Sequence, residues 1–339
     1  NYLLGSKSNV LILDDVTIIF WAMSPKKEYV DIVSSLFSGN PTGMDEEQTQ
    51  NMLGKMMEDA REGNIIYDRI SSENGIDENV DFYFLGLKPN SSRIAVKFFY
   101  KRRFGEILQN IAQHQNDLQI ITDKSPVPLW KIKSELVSPH VKGDKMSPAI
   151  ETKLIESILY GIPYPDALLQ TAIMRSRIDA DKAMNNVRAG IIKACLNRQF
   201  RRNGKEEITL ALDLNNTTPA YVCGRLFATL EKLQSAASGG KLNRTIKSTY
   251  FASAASKPAM VFPKLLKLAQ NHLDKLDSPV FYNKLIQEIV GKINGEFPET
   301  LLLNEQGMFM IGYYHQMEAF YTKRVTVNSD ESDNIAKGE

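Results

Sequence analysis

Histidines, an aspartate pair, a glycine–lysine turn and dense runs of arginine and lysine are the residues here whose types and spacing point to chemistry. The four histidines, His114, His140, His272 and His315, include no two at metal-ligand spacing, and no HExxH pattern occurs, so they read as surface or core-edge residues. Asp14 and Asp15 are the right type for a metal site. Neighbours on a strand point to opposite faces, however, whereas a two-metal nuclease needs carboxylates that converge. Gly239, Gly240 and Lys241 look like the end of a phosphate loop, but Leu242 stands where serine or threonine would hold magnesium, and no strand precedes the turn. Expected, therefore, is a protein that is not an enzyme, with no catalytic residue, no metal and no cofactor.

The cations are a different matter. Between Arg225 and Lys267 eight basic residues face one acid, Glu231, which makes a concentrated positive field. A second block, Arg175 to Lys205, sets nine basic residues against Asp179 and Asp181, with Arg198, Arg201 and Arg202 clustered within about one helical turn. A third runs from Arg93 to Arg103 and holds Arg93, Lys97, Lys101, Arg102 and Arg103 without an acid. On a strand Arg93, Lys97 and Lys101 would share one face. Each run also has a bland explanation: a solvated helix surface for the first, compensation of a helix dipole for the second, and protection of an edge strand for the third. The functional reading is a grip on nucleic-acid phosphates. Its expected residues are Arg198, Arg201, Arg202, Arg225, Lys241, Arg244, Lys247, Lys264 and Lys267, together with Lys97, Lys101, Arg102 and Arg103, held along one continuous groove. Tyr250 and Phe251 are candidates to stack unpaired bases, or else core residues.

These side chains need elements to position them. Val10 to Leu13 and Val16 to Trp21 read as strands, as do Asp81 to Leu87 and Arg93 to Tyr100 around the turn at Lys88 to Ser91. Helical spacing marks Asp45 to Glu62, Phe104 to His114, Ala149 to Tyr160, Pro165 to Ile178, Asp181 to Arg202, the two halves of Pro219 to Leu276, Val280 to Ile293 and Glu305 to Arg324. In the Pro219 to Leu276 stretch, Cys223, Leu226, Phe227, Leu230 and Leu233 form one apolar stripe, and Phe262, Leu265, Ala269 and Leu273 another. The fold class expected is α+β, a mixed β and helical N-terminal part followed by a mostly helical C-terminal part ending in a bundle. Pro126, Pro128, Pro139 and Gly143 loosen the chain and place a boundary near residue 146. The parts are then 1–146, a connecting helical region 147–208, a bundle 209–327 and a disordered acidic tail 328–339.

A chain of 339 residues with 43% hydrophobic and 24% charged residues has the composition of a globular protein. Its net charge of +1 hides the basic blocks, because residues 41–81 carry eleven acids against Lys55, Arg61 and Arg69. Cys195 and Cys223 sit at apolar helical positions, the pattern of free thiols in a reducing compartment, and no run is long enough to span a membrane. The expected location is cytoplasmic. The start at Asn1 reads as that of a fragment or processed product.

VTIIFWA at Val16 to Ala22, FYFLGLKPNSSRIAVKFF at Phe82 to Phe99, GIPYPDALL at Gly161 to Leu169, IIKACLNR at Ile191 to Arg198, the Pro219 to Leu276 stretch and EQGMFMIGYYHQ at Glu305 to Gln316 follow one another in a specific order and spacing. In this the chain resembles the large subunit of the type I-C (Dvulg subtype) CRISPR Cascade complex, over nearly its whole length. The resemblance implies a non-catalytic subunit of an RNA-guided interference complex that supports recognition of the motif flanking the target, holds opened DNA strands and presents the assembly to a helicase-nuclease. The implied partners are the guide RNA ribonucleoprotein, target and non-target DNA strands, the Cascade backbone and small subunits and the helicase-nuclease, with no membrane. Its bundle would correspond to about residues 209–327. Family members extend further at the N-terminus, where much of the motif reading is expected, so no motif-reading residue is assigned. A scaffold subunit that touches protein and guide RNA but not DNA is the alternative.

Overall fold

The computed structural model describes residues 8–12, 17–24, 26, 28–38, 77–120, 127–137, 146–179, 185–240 and 244–322. Asp14, Asp15, the helix expected at Asp45 to Glu62, His140, Lys241 and the acidic tail lie outside them.

The fold is α+β. Four strands, β1 (Ser8–Ile12), β2 (Thr17–Ala22), β3 (Asp81–Asn90) and β4 (Arg93–Arg103), pair antiparallel in the order β1-β2-β3-β4. Period-two alternation of β-branched and aromatic residues is what forms them: Ile18, Phe20 and Ala22, with Phe82 and Phe84, turn inward and are buried. Against this inner face pack α1 (Glu28–Ser38) and α2 (Phe104–Leu118), with Phe104 seated edge-on to Tyr29 at 4.7 Å. The β3–β4 turn is tighter than the sequence implies. Asn90 pairs with Arg93, and Ser91 takes φ 56°, the left-handed conformation a two-residue hairpin requires.

Then follow α3 (Leu129–Leu136), α4 (Pro148–Tyr160), α5 (Asp166–Ile178) and α6 (Asn186–Arg202). The rest is α7 (Pro219–Ala237), α8 (Ile246–Ala254), α9 (Pro258–Leu273), α10 (Val280–Val290) and α11 (Leu303–Tyr321). Prolines open α4, α7 and α9, where a missing N–H is no loss. The short α8 was not foreseen. It is capped by Thr245 and Ser248, which satisfy each other's backbone N–H groups.

α7 is the axis of the C-terminal part. It packs on α8, α9, α10 and α11, so an uninterrupted run from Ala220 to Leu230 is buried. α11 lies closest to it: a Cβ placed on Gly224 would come within 2.0 Å of the Phe309 carbonyl oxygen, and one on Gly312 within 2.1 Å of the Tyr221 carbonyl oxygen. Phe251 of α8 closes the aromatic core with Phe227, Phe309 and Tyr313, which makes it a core residue and removes it as a base-stacking candidate. Buried residues on both sides of residue 146 belong to one continuous hydrophobic core, joined where α2 packs on α4 and α6. Among the described residues no helix is long and apolar enough to cross a membrane.

His315 sits inside this packing. Its Nδ1 meets the Tyr221 hydroxyl at 2.9 Å and its Nε2 has no hydrogen-bond partner, while burial and then the charge of Lys193 push its pKa down to about 4. An unfolded chain takes up this proton near pH 6.5, the folded one only near 4. Stability from this group is therefore complete above pH 6.5 and falls by roughly 3 kcal/mol as the pH drops through that window. His114, likewise held neutral by burial, adds to the loss. Urea unfolding at pH 7 and pH 4.5 should show a smaller acid loss in His315→Gln than in the parent. Equal losses would show that another group is responsible.

Candidate nucleic-acid interface

The structure divides the expected cations into groups with different fates. The α6 block turns inward. Arg198 is 3% exposed; its Nε donates to Asp117 at 3.0 Å, its Nη1 donates to the carbonyls of Ser157 at 2.6 Å and Ile162 at 2.8 Å, and Tyr164 covers it at 4.2 Å. Arg201 is half out of the protein, but it bonds Asp117 at 2.7 Å and Glu207 at 2.7 Å and is neutralised by them. Arg198 is therefore withdrawn from the interface, and Arg201 is a clamp. Both were misplaced because their carboxylate belongs to α2, far away in sequence. A signal for it existed: Asp117 follows His114 by three positions and adjoins Leu118, on the side of α2 that is buried. Arg175 and Arg188 are consumed in the same way by Asp179 and Glu135. Arg202, at the end of α6, remains exposed.

Arg225 is withdrawn as well. It is 0% exposed, its Nε donates to Gln316 at 3.1 Å, and the carboxylate of Glu288 lies 3.8 Å from Nη2. Burial lowers its pKa. On a helix with one apolar stripe Arg225 would face solvent, but α7 is enclosed on nearly every side. The single continuous groove running through α6 and α7 is thus not what these helices form.

The cations that do face solvent lie on α8, α9 and the segment before them. Lys264 and Lys267 are exposed on α9, whose opposite side buries Val261, Phe262, Leu265 and Ala269. Neither has an ion-pair partner among the described residues. Arg244 is exposed, steadied by a 3.1 Å bond to Thr249, and Lys257 caps the start of α9 in the open. Lys257 was counted in the charge run but not placed in the site. Lys247 is half-buried over Tyr313 at 5.0 Å, beside the Glu231 carboxylate that accepts the Tyr313 hydroxyl at 2.7 Å. Burial pushes Glu231 up and Lys247 draws it back, so this lysine is partly committed to the fold. α8 packs on α9, so the elements that carry these cations are neighbours.

On the sheet, Lys97 and Arg103 are exposed, Lys101 pairs with Asp81 at 2.7 Å, and Arg102 lies 3.8 Å over the Tyr160 ring. The face predicted to unite Arg93, Lys97 and Lys101 is broken by a bulge. Gly86 pairs with Phe98 but Leu87 pairs with Val96, so Lys97 is an extra residue and Arg93 falls on the other face from Lys101. Among the described residues β4 lies at the edge of the sheet, a place where cations also protect against edge-to-edge pairing.

A cleft of about 580 Å³ beside the start of α11 is lined by Glu206, Glu207, Asp213 and Glu305 against Lys205, an acidic balance that disfavours phosphate. Among the described residues no three of His, Cys, Asp and Glu gather as a metal-binding group.

Compared with known families, residues 1–321 match the family described as CRISPR-associated protein (Cas_Csd1). The chain belongs to the Cas_Csd1 family. No curated protein matches it. For a Cas_Csd1 protein, solvent-facing lysines on rigid helices are the feature that needs an explanation. Arg188, Arg198 and Arg201 of α6 and Arg225 of α7 are explained by folding.

Proposed function

We propose that this Cas_Csd1 chain is the large subunit of a type I-C Cascade-like interference complex and holds DNA strands without cutting them. The observation that carries this reading is the α8–α9 pair, where Arg244, Lys257, Lys264 and Lys267 face solvent on packed helices. Pairing one DNA strand with guide RNA is a near-balanced exchange, and cations that neutralise strand phosphates tip it. Such contacts release counterions and are indifferent to sequence. Its partners are then the guide ribonucleoprotein, the backbone and small subunits, both DNA strands and a helicase-nuclease that acts after docking.

Arg244, Lys264 and Lys267 changed together to alanine should weaken target binding and flatten the plot of log affinity against log salt by roughly two to three units of slope. Gel shifts of the assembled complex over a salt series test this; an unaltered slope rejects the α8–α9 assignment. The scaffold reading draws support from Arg198 and Arg225, which are spent inside the protein, and from Arg201, which is paired with Asp117 and Glu207. A target strand carrying photoreactive bases separates the two, since a scaffold acquires no crosslink.

A further inference from the structure

The outer face of the sheet is not explained by the folding core or by the α8–α9 pair. Its side chains form a lattice set by the strand register. Trp21 stands opposite Tyr83 and Tyr83 opposite Lys101; Ile19, Leu85 and Phe99 form the next row, and Thr17, Leu87 and Val96 the one after. Trp21 and Tyr83 lie at 5.3 Å with planes 10° apart, and Phe99 continues the series at 5.8 Å from Tyr83. Phe99 is 56% exposed and Val96 62%, while Trp21 and Tyr83 are half-buried, so this floor is most open along β4.

Its charge is arranged to one side. Lys97, Lys101 and Arg103 all belong to β4, the edge strand, whereas the aromatic row runs inward across β3 to β2. Asp81 is the sole acid that the three strands put on this face, and Lys101, 5.7 Å from the Tyr83 ring, already neutralises it. An apolar floor of rings bordered on one edge by cations matches one chemistry closely. Unpaired nucleotides have flat apolar base faces and an anionic backbone on one side of them. From Lys97 to Arg103 the edge spans ~20 Å, room for a short run of extended nucleotides. A protein partner would be expected to meet fewer lysines at its contact.

We propose that the outer sheet face is a stacking platform for unpaired nucleotides, with Trp21, Tyr83 and Phe99 receiving bases and Lys97 and Arg103 holding the phosphates, while Lys101 offsets Asp81. The platform rests on the nucleic-acid reading above but uses a different surface, and it adds base stacking to the phosphate contacts.

The sequence has two tryptophans, Trp21 and Trp130, and Trp130 is exposed, so Trp130→Phe leaves Trp21 as the single indole reporter. The full chain in that background is titrated with an oligothymidylate and with an abasic deoxyribose-phosphate oligomer of equal length and charge. Expected are strong quenching of Trp21 by the thymidylate and little by the abasic oligomer, with Phe99→Ala lowering thymidylate affinity about tenfold, the size of one lost stack. Equal quenching by both oligomers, or none by either, overturns the platform, as does a Trp21 emission that responds only to added protein subunits. Lys264→Ala with Lys267→Ala tells the two proposals apart, because it flattens the salt dependence of DNA binding by about two units of slope if the α8–α9 assignment is right and leaves Trp21 quenching as it was.

Discussion

Replacing Asp117 by alanine is expected to destabilise the protein by about 3–5 kcal/mol, because it strands a buried guanidinium with no counter-charge. Asp117 is 1% exposed and holds three residues of α6 at once. One carboxylate oxygen takes Arg198 at 3.0 Å and the other takes Arg201 at 2.7 Å, while its own carbonyl accepts from Lys193 at 3.4 Å. Arg198 in turn reaches the carbonyls of Ser157 and Ile162 around the end of α4, so α2, α4 and α6 are tied through one side chain. Urea denaturation gives the loss directly from the shift in midpoint. The mechanism makes a second, sharper demand. Asp117→Leu combined with Arg198→Met removes both charges, and it should recover most of the stability, since a buried ion pair replaced by apolar residues of similar volume is often neutral. If the double variant is as unstable as the single one, the cost lies in lost hydrogen bonds to the carbonyls and not in the unpaired charge.

Gly224→Ala and Gly312→Ala should each cost about 1–3 kcal/mol or more, and a larger residue at either position should prevent α7 and α11 from docking. The clash is with backbone: the added Cβ would sit 2.0 Å from one carbonyl oxygen and 2.1 Å from the other, and a carbonyl held in a helix cannot step aside as a side chain can. Gly307→Ala is the control on the same helix. Its Cβ would meet Leu196 Cδ1 at 3.1 Å, the far end of a flexible side chain, while alanine gains about 1 kcal/mol of helix propensity, so little net change is expected. Thermal unfolding of the three variants orders them. A Gly307 variant that is the least stable of the three would show that close backbone approach is not what holds the bundle.

Most of the elements could be read from the sequence. Strands β3 and β4 and helices α2, α4 to α7 and α9 to α11 follow from local spacing of apolar residues, and the structure places them within a few residues of the positions expected. α8 was missed because nine residues with little amphipathic contrast give no periodic signal, and its caps do the work instead. Lys264 and Lys267 face solvent because α9 has one apolar side, so the position of a lysine on that helix decides its exposure.

The sequence by itself determined the α+β class, the helical C-terminal part and the concentration of positive charge in the second half, since each depends on neighbours close in the chain. Only the tertiary structure decided which cations remain available. Arg198 is matched by a carboxylate 81 residues away, Arg225 is enclosed because four helices surround α7, and Arg93 changes faces because one residue bulges from β4. Counting charge along a chain registers none of this. Electrostatic pairing and burial depend on distance in space, and residues far apart in sequence come within a few ångströms only when the core brings their elements together.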